Sequence, residues 1–292
     1  MMLVATAAVG IRAAALPAQT VTRDPITGDY VVHYLLDGSA REVHIVARDR
    51  VNPSIDLLSV QATQTGLRYT YLVANHPGGQ ALMGRGFRMM DLDCADDAAS
   101  ANSHNIQPPG WRMSANSPEG HSPVCMFRGA HSLEPGDSVS GLTITSVTLP
   151  RIGTAEIYGK GDIPVVEDEV VPDSVSKLLA ALTVRGLLVS AVVPGRPLSE
   201  VASPISAVAA LRTDLRAACG LLGWIDNPGV CRSLNTKLDA TSASIARGQT
   251  APARNQLAAF DAELDAQRGH HVSDNAYSLL RAMSDHALRL LP

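Results

Sequence analysis

From Val21 to about Tyr158 the apolar positions recur with a period of two, and from Pro204 onward they recur at three and four residues. That change of period separates a strand-rich half from a helix-rich half. In the first half YVVHYLL (Tyr30 to Leu36) runs into Asp37-Gly38 and then REVHIVAR (Arg41 to Arg48). An Asp-Gly pair accepts the positive φ of a tight two-residue turn, so this stretch predicts a β-hairpin. LRYTYLVAN (Leu67 to Asn75) sets Leu67, Tyr69, Tyr71 and Val73 on one face and Arg68 and Thr70 on the other, and HPGGQ ends it. GFRMMDLD (Gly86 to Asp93), LTITSVTL after the Pro-Gly-Asp turn at residues 135–137, and TAEIYG (Thr154 to Gly159) predict further strands. Short strands punctuated by Gly, Pro and Asp predict an antiparallel β-sandwich over residues 19–159.

Four helical stripes follow. Val208, Leu211, Leu215, Cys219 and Leu222 form the first, opened by Ser203 as N-cap and Pro204 as first helical residue. Leu234, Leu238, Thr241 and Ile245 form the second, closed by Gly248. Ala253, Leu257, Phe260 and Leu264 form the third, with Thr250 as cap and Gly269 as stop. Ala276, Leu280, Met283, Ala287 and Leu290 form the fourth, with Ser273 as cap. Short loops between short amphipathic helices predict a four-helix bundle over residues 204–292, because each helix alone is marginal in water. The fold class expected is α+β in two domains. Residues 160–203 read as a linker. It holds the acidic connector VVEDEVVPD (Val165 to Asp173), a short helix (Ser174 to Leu182) and the strand-like LLVSAVVP (Leu187 to Pro194), whose pairing partner is left open.

Composition narrows the function classes. A formal charge of −4, with the basic residues scattered, supplies no field for nucleic acid or anionic lipid. Residues 1–18, apolar and Ala-rich with small residues near Ala15 and Ala18, resemble a signal-peptide remnant, although no basic residue precedes Arg12. The run from Leu178 to Val193 contains Arg185 and Gly186 and is a poor membrane span.

The four cysteines divide two and two between the proposed domains. Three pairings exist, and domain logic favours Cys94–Cys125 and Cys219–Cys231. The Asn227-Pro228-Gly229 corner turns the chain back between the second pair. Metal-ligand spacing and a redox CxxC are both missing, and the remaining alternative is buried free thiols. Disulfides imply an extracellular, cell-surface or periplasmic address.

Candidate chemistry is sparse. Asp91, Asp93, Asp96 and Asp97 surround Cys94 in DLDCADD, and hard oxygens at that density could hold Ca²⁺. The glycine and distal glutamate of a calcium loop are missing, so a solvated acidic loop is the preferred reading. His104, His121 and His131 could converge on a metal, but no HxH or HExxH spacing supports them. Trp111, in the loop PPGWRM, is the single candidate binding residue, as a platform for stacking a sugar; the alternative is a lid over the sandwich. Trp224 is expected to pack against the disulfide at the helical bend. Nucleophile-elbow, phosphate-loop and dinucleotide motifs are missing. No catalytic residue, metal or cofactor is assigned.

IDNPGVCRSLNTKLDATSASIARGQTAPARNQLAAFDAELDAQRGHHVSDNAYSLLRAMSDHAL (Ile225 to Leu288) resembles the FIMAH domain, a helical module at the ends of secreted or surface-associated bacterial proteins. The likeness, over about residues 225–290, rests on Gly229, Ser233, Leu234, Lys237 and Leu238 at the opening. Beyond them it uses Gly248, the pair Leu257 and Phe260, and Gly269 with Ser273. These are packing and capping positions. The resemblance implies a bacterial exported protein engaged in binding or association.

The expected function is therefore a non-catalytic exported protein of binding, adhesion or extracellular structural type. Its partner would be an extracellular polymer, a surface component or a second copy. The alternatives are a secreted hydrolase working from the sandwich loops, with the helices as accessory, and a strand-exchanging subunit of an extracellular assembly that donates LLVSAVV.

Overall fold

The computed structural model describes residues 19–78, 86–94, 107–116, 123–160, 171–183 and 186–292. Among them are eleven strands in three antiparallel sheets, five α-helices and a 3-10 helix at Leu198–Val201. They fall into two compact units, one from residues 19–47 with 171–183, the other from the described residues of 48–160 and 186–292. The expected remnant at residues 1–18 lies outside the described residues.

The first unit is a small sheet with a helix on it. Strands β1 (Gln19–Arg23), β2 (Tyr30–Leu36) and β3 (Ser39–Ile45) pair in that order. Asp37 and Gly38 have φ of 49° and 76°, the left-handed pair that an Asp-Gly hairpin turn requires. Alternation along β2 buries Tyr30, Val32 and Tyr34 beside Ile45 and Ala47. Helix α1 (Asp173–Thr183) covers them with Val175, Leu179 and Leu182, spaced for one helical face. The segment expected to be a linker is thus divided. Its helix completes the first unit, and its strand-like run pairs in the second. Of the acidic connector, residues 165–170 lie outside the described residues and Asp173 opens α1.

The second unit holds the other two sheets. One has the order β4 (Pro53–Ala62), β5 (Leu67–Asn75), β9 (Ser138–Ser146). The other has the order β11 (Leu187–Arg196), β10 (Leu149–Gly159), β6 (Phe87–Asp93), β8 (Val124–Leu133), β7 (Trp111–Asn116). LTITSVTL, expected as one strand, breaks at Val147–Thr148, where the chain leaves the first sheet for the second. The Thr148 N–H donates to Ser146 Oγ at 3.1 Å, a local side-chain turn that strand periodicity does not reveal. LLVSAVV is committed within the chain, since β11 pairs with β10 from Leu187↔Ile157 to Arg196↔Leu149.

Helices α2 (Pro204–Cys219), α3 (Pro228–Ala246), α4 (Thr250–Gln267) and α5 (Asp274–Leu290) correspond to the four apolar stripes. Ser203 caps α2 in a capping box with Ser206, and Ser273 caps α5 by accepting from the Ala276 N–H. Thr250 does not cap α4; it is the first helical residue, and Gln249 precedes it without a side-chain cap. The Asn227-Pro228-Gly229 corner is a helix start: Asn227 Oδ1 accepts from the N–H groups of Gly229 and Val230, with Pro228 as first helical residue. The helices share one continuous core with both sheets. Leu211, Leu215, Leu234, Leu238, Phe260, Leu280 and Met283 are buried in the same cluster as Ile55, Tyr69, Tyr71, Leu92, Phe127, Ile144 and Ile157. Pro204 therefore marks a change of period, and no separate core begins there.

Helix α5 lies along β4 and completes its free edge. Asn275 Oδ1 accepts the Leu57 N–H at 2.8 Å, and its Nδ2 donates to the Ile55 carbonyl at 2.8 Å. At the opposite edge of the same sheet Gln107 accepts the Thr143 N–H at 3.1 Å and donates to the Thr143 carbonyl at 2.8 Å. One carboxamide on each side thus replaces a short piece of neighbouring strand. Both expected disulfides are formed. Cys94–Cys125 ties the end of β6 to β8 with Cα atoms 5.8 Å apart, and Cys219–Cys231 ties the end of α2 to the first turn of α3 at 6.0 Å. Among the described residues no helix is long and apolar enough to cross a membrane.

Candidate functional site

Trp111 opens an edge strand instead of standing in a loop. WRMSAN alternates large apolar with polar residues, and in β7 Trp111 pairs with Gly129 while Met113 pairs with Phe127. Trp111 is half-buried against the core. A Cβ at Gly129 would lie 3.0 Å from Trp111 Cζ2, so the glycine makes room for the ring. His104 and His121 lie outside the described residues, and His131 is exposed on β8. Asp96 and Asp97 also lie outside them. Among the described residues no group of three or more His, Cys, Asp or Glu could hold a metal ion.

The two described aspartates of DLDCADD are engaged separately. Asp93 Oδ2 accepts from Arg151 at 2.6 Å. Asp91 stands beside Glu156 across the β6–β10 pair. The Tyr158 hydroxyl lies 2.8 Å from Glu156 Oε2 and 3.2 Å from Asp91 Oδ2, so one hydroxyl hydrogen serves two carboxylates. Burial raises the pKa of Asp91, and burial together with the Glu156 hydrogen bond raises that of Tyr158. The arrangement holds a phenol firmly protonated between two acids. It supplies no base free of its neighbours.

A cleft of about 580 Å³ lies between β10, β11 and α2, lined among others by Arg151, Arg196, Glu200, Thr213 and Asp214. Three of its charged side chains are already engaged, since Arg151 is paired with Asp93 and Arg196 with Asp214. Arg196 grips Asp214 in a two-pronged pair at 2.7 and 2.8 Å, with side chains only 12% and 5% exposed. Burial pushes the Asp214 pKa up and the guanidinium opposes it. Because removing one partner strands the other charge, this pair reads as a structural clasp between β11 and α2.

A smaller cavity of about 210 Å³ is formed by the start of β4, by β11, by Trp224 and by the start of α5. Pro53, Ile55, Val189 and Trp224 give it apolar walls; Ser54, Asp56, Ser190, Ser273 and Asn275 give it polar atoms. Ser54 Oγ donates to Asp56 Oδ2 at 3.1 Å, and His76 Nε2 lies 2.9 Å from Ser54 Oγ. Serine thus sits between acid and imidazole, whereas nucleophilic catalysis needs the imidazole in the middle. Asp56 Oδ1 also accepts from Asn275 Nδ2 at 3.2 Å, and burial raises the Asp56 pKa. Trp224 forms one wall of this cavity. The signal lay in its position, one residue before the buried Ile225, which bridges to Val272 beside the α5 cap.

In the helices, Ser233, Lys237 and Glu263 form one network: Ser233 Oγ donates to Glu263 at 2.7 Å, and Lys237 Nζ reaches both Ser233 and Glu263. Lys237 is ion-paired with Glu263 as well as bonded to Ser233, so the network joins α3 to α4 and reads as structural. Two residues earlier on α4, burial raises the Asp261 pKa to about 6, against the pull of Arg281. A folded-state pKa above the unfolded value stabilises below the unfolded pKa, and that stability is lost as pH rises through about 6. Asp261→Asn is expected to stabilise the protein by up to about 3 kcal/mol at pH 8 and to change little at pH 4. Urea unfolding of both proteins at the two pH values checks this; an equal effect at each would refute it.

The FIMAH domain family model matches residues 221–289, which span Trp224, α3, α4 and nearly all of α5. No curated protein matches the chain.

Proposed function

We propose that this is an exported bacterial protein of binding, adhesion or extracellular structural type, with a β-sandwich in its N-terminal part and a four-helix bundle in its C-terminal part. The single observation that carries the reading is the FIMAH match over residues 221–289. That family implies surface-associated association, and the matched positions here are spent on packing and bridging. Leu234, Leu238, Leu257 and Phe260 are buried, and Ser233 with Lys237 joins two helices. Two disulfides support an oxidising compartment. Asp214 is held by Arg196, Asp91 shares the Tyr158 hydroxyl with Glu156, and Ser54 lies between Asp56 and His76; these arrangements favour binding over the hydrolase alternative. The commitment of β11 to β10 disfavours strand donation.

The test is the intact mass and thiol count of freshly isolated native protein, with and without reductant. The expected result is no free thiol before reduction and four after it, in material recovered outside the cytoplasm. Four free thiols in fresh material from the cytoplasm would overturn the exported address.

A further inference from the structure

We propose that the cavity walled by Trp224 is a binding site for one ring of a neutral saccharide. The inference rests on the binding reading above and names the ligand class for it. A pyranose ring is amphipathic: its faces carry C–H groups that lie on an aromatic ring, and its rim carries hydroxyls that both donate and accept. The cavity matches both requirements. Trp224, Pro53 and Val189 supply apolar surface, while the Ser54 and Ser190 hydroxyls and the Asp56 carboxylate supply donors and acceptors around it. Its volume of about 210 Å³ suits a single sugar ring and is too small for a longer segment.

The polar atoms are held in place before any ligand arrives. Asp56 is fixed by Ser54 and by Asn275, Ser54 is fixed in turn by His76, and Asn275 is anchored to the backbone of β4. A rim ordered in advance reduces the ordering cost that weakens sugar binding. Charge selects among ligands. The lining contains a carboxylate and no Lys or Arg, which disfavours phosphates, sulfates and uronic acids. An organic cation is the competing ligand for a tryptophan beside an acid. It is disfavoured because a single aromatic wall makes no cage. Trp224 lies inside the matched helical domain, whereas Pro53–Asp56 and Val189–Ser190 come from the sheets, so the site requires both parts of this chain.

Isothermal titration calorimetry of the full chain against cello-, xylo-, malto- and chito-oligosaccharides, with tetramethylammonium and inorganic phosphate as other probes, tests the proposal. Saturable millimolar binding of at least one neutral sugar is expected. Trp224→Ala should weaken it about tenfold or more and Ser54→Ala by a smaller factor, with Trp224→Phe retaining part of it and controlling for folding. No heat with any sugar, binding of tetramethylammonium or phosphate alone, or sugar binding kept in Trp224→Ala but lost in Trp111→Phe would each overturn it. A negative result with the four thiols still protected in native material would remove this site and leave the exported address standing.

Discussion

Removing both disulfides is expected to cost the protein about 6 kcal/mol, close to the whole stability of an ordinary domain. The loop-closure argument assigns roughly 3–4 kcal/mol to Cys94–Cys125, which spans 31 residues, and about 3 kcal/mol to Cys219–Cys231, which spans 12. The two bonds clamp different elements, so their effects should add. Cys94 and Cys125 are both buried, and the Cys94 N–H donates to the Pro123 carbonyl at 3.1 Å, so the bond closes a ladder already in register. Cys219–Cys231 fixes the angle between α2 and α3 where the capped turn at Asn227 begins. The check is urea unfolding of the Cys94→Ala/Cys125→Ala protein, the Cys219→Ala/Cys231→Ala protein and the fourfold variant. A fourfold variant within about 1 kcal/mol of the parent would show that native packing alone holds these elements.

Why these elements were legible differs from one to another. The β2–β3 hairpin could be read because Asp37-Gly38 satisfies a local backbone demand that few other pairs satisfy, and the structure has both residues at positive φ. The four helices could be read because their apolar stripes face a common core and their caps are local: Ser203, Ser273 and Gly248 act within one turn of the chain. The favoured disulfide pairs could be read because the four cysteines divide two and two between the strand-rich and helix-rich halves. Strand β4 was harder. It begins with Pro53, and a bulge between Leu57 and Ser59 interrupts its alternation, so no two-residue period runs its length. The unit boundaries were hidden for a related reason. Helix α1 belongs with β2 because their apolar faces match, although more than a hundred residues separate them, and periodicity carries no information about which faces meet. The saccharide cavity lay beyond sequence reasoning because its walls come from β4, β11, Trp224 and the start of α5. Trp111 was the candidate because its neighbours Pro109 and Gly110 read as a loop. A strand partner at Gly129, distant in sequence, decided otherwise.

Asn275→Ala is expected to cost about 4 kcal/mol. The carboxamide is buried, and it provides the hydrogen-bond partner for two main-chain groups of a strand edge that has no neighbouring strand among the described residues. Truncation leaves the Leu57 N–H and the Ile55 carbonyl without that partner, at roughly 1–3 kcal/mol each, and also removes a donor from Asp56. Asn275→Asp should be worse at neutral pH. The carboxylate still accepts from Leu57, but it has nothing to donate to Ile55 and meets the Asp56 carboxylate, whose pKa burial already raises. Acid should restore part of the loss, because a protonated carboxyl regains one donor. Gln107→Ala, at the half-buried opposite edge, should cost only about 1–2 kcal/mol. Urea unfolding at pH 5 and pH 8, with amide hydrogen exchange at Leu57, separates these cases. If Asn275→Ala lost less than about 1 kcal/mol and the Leu57 amide stayed protected, water or a shifted α5 would be completing the β4 edge, and the carboxamide would not be the group that keeps it closed.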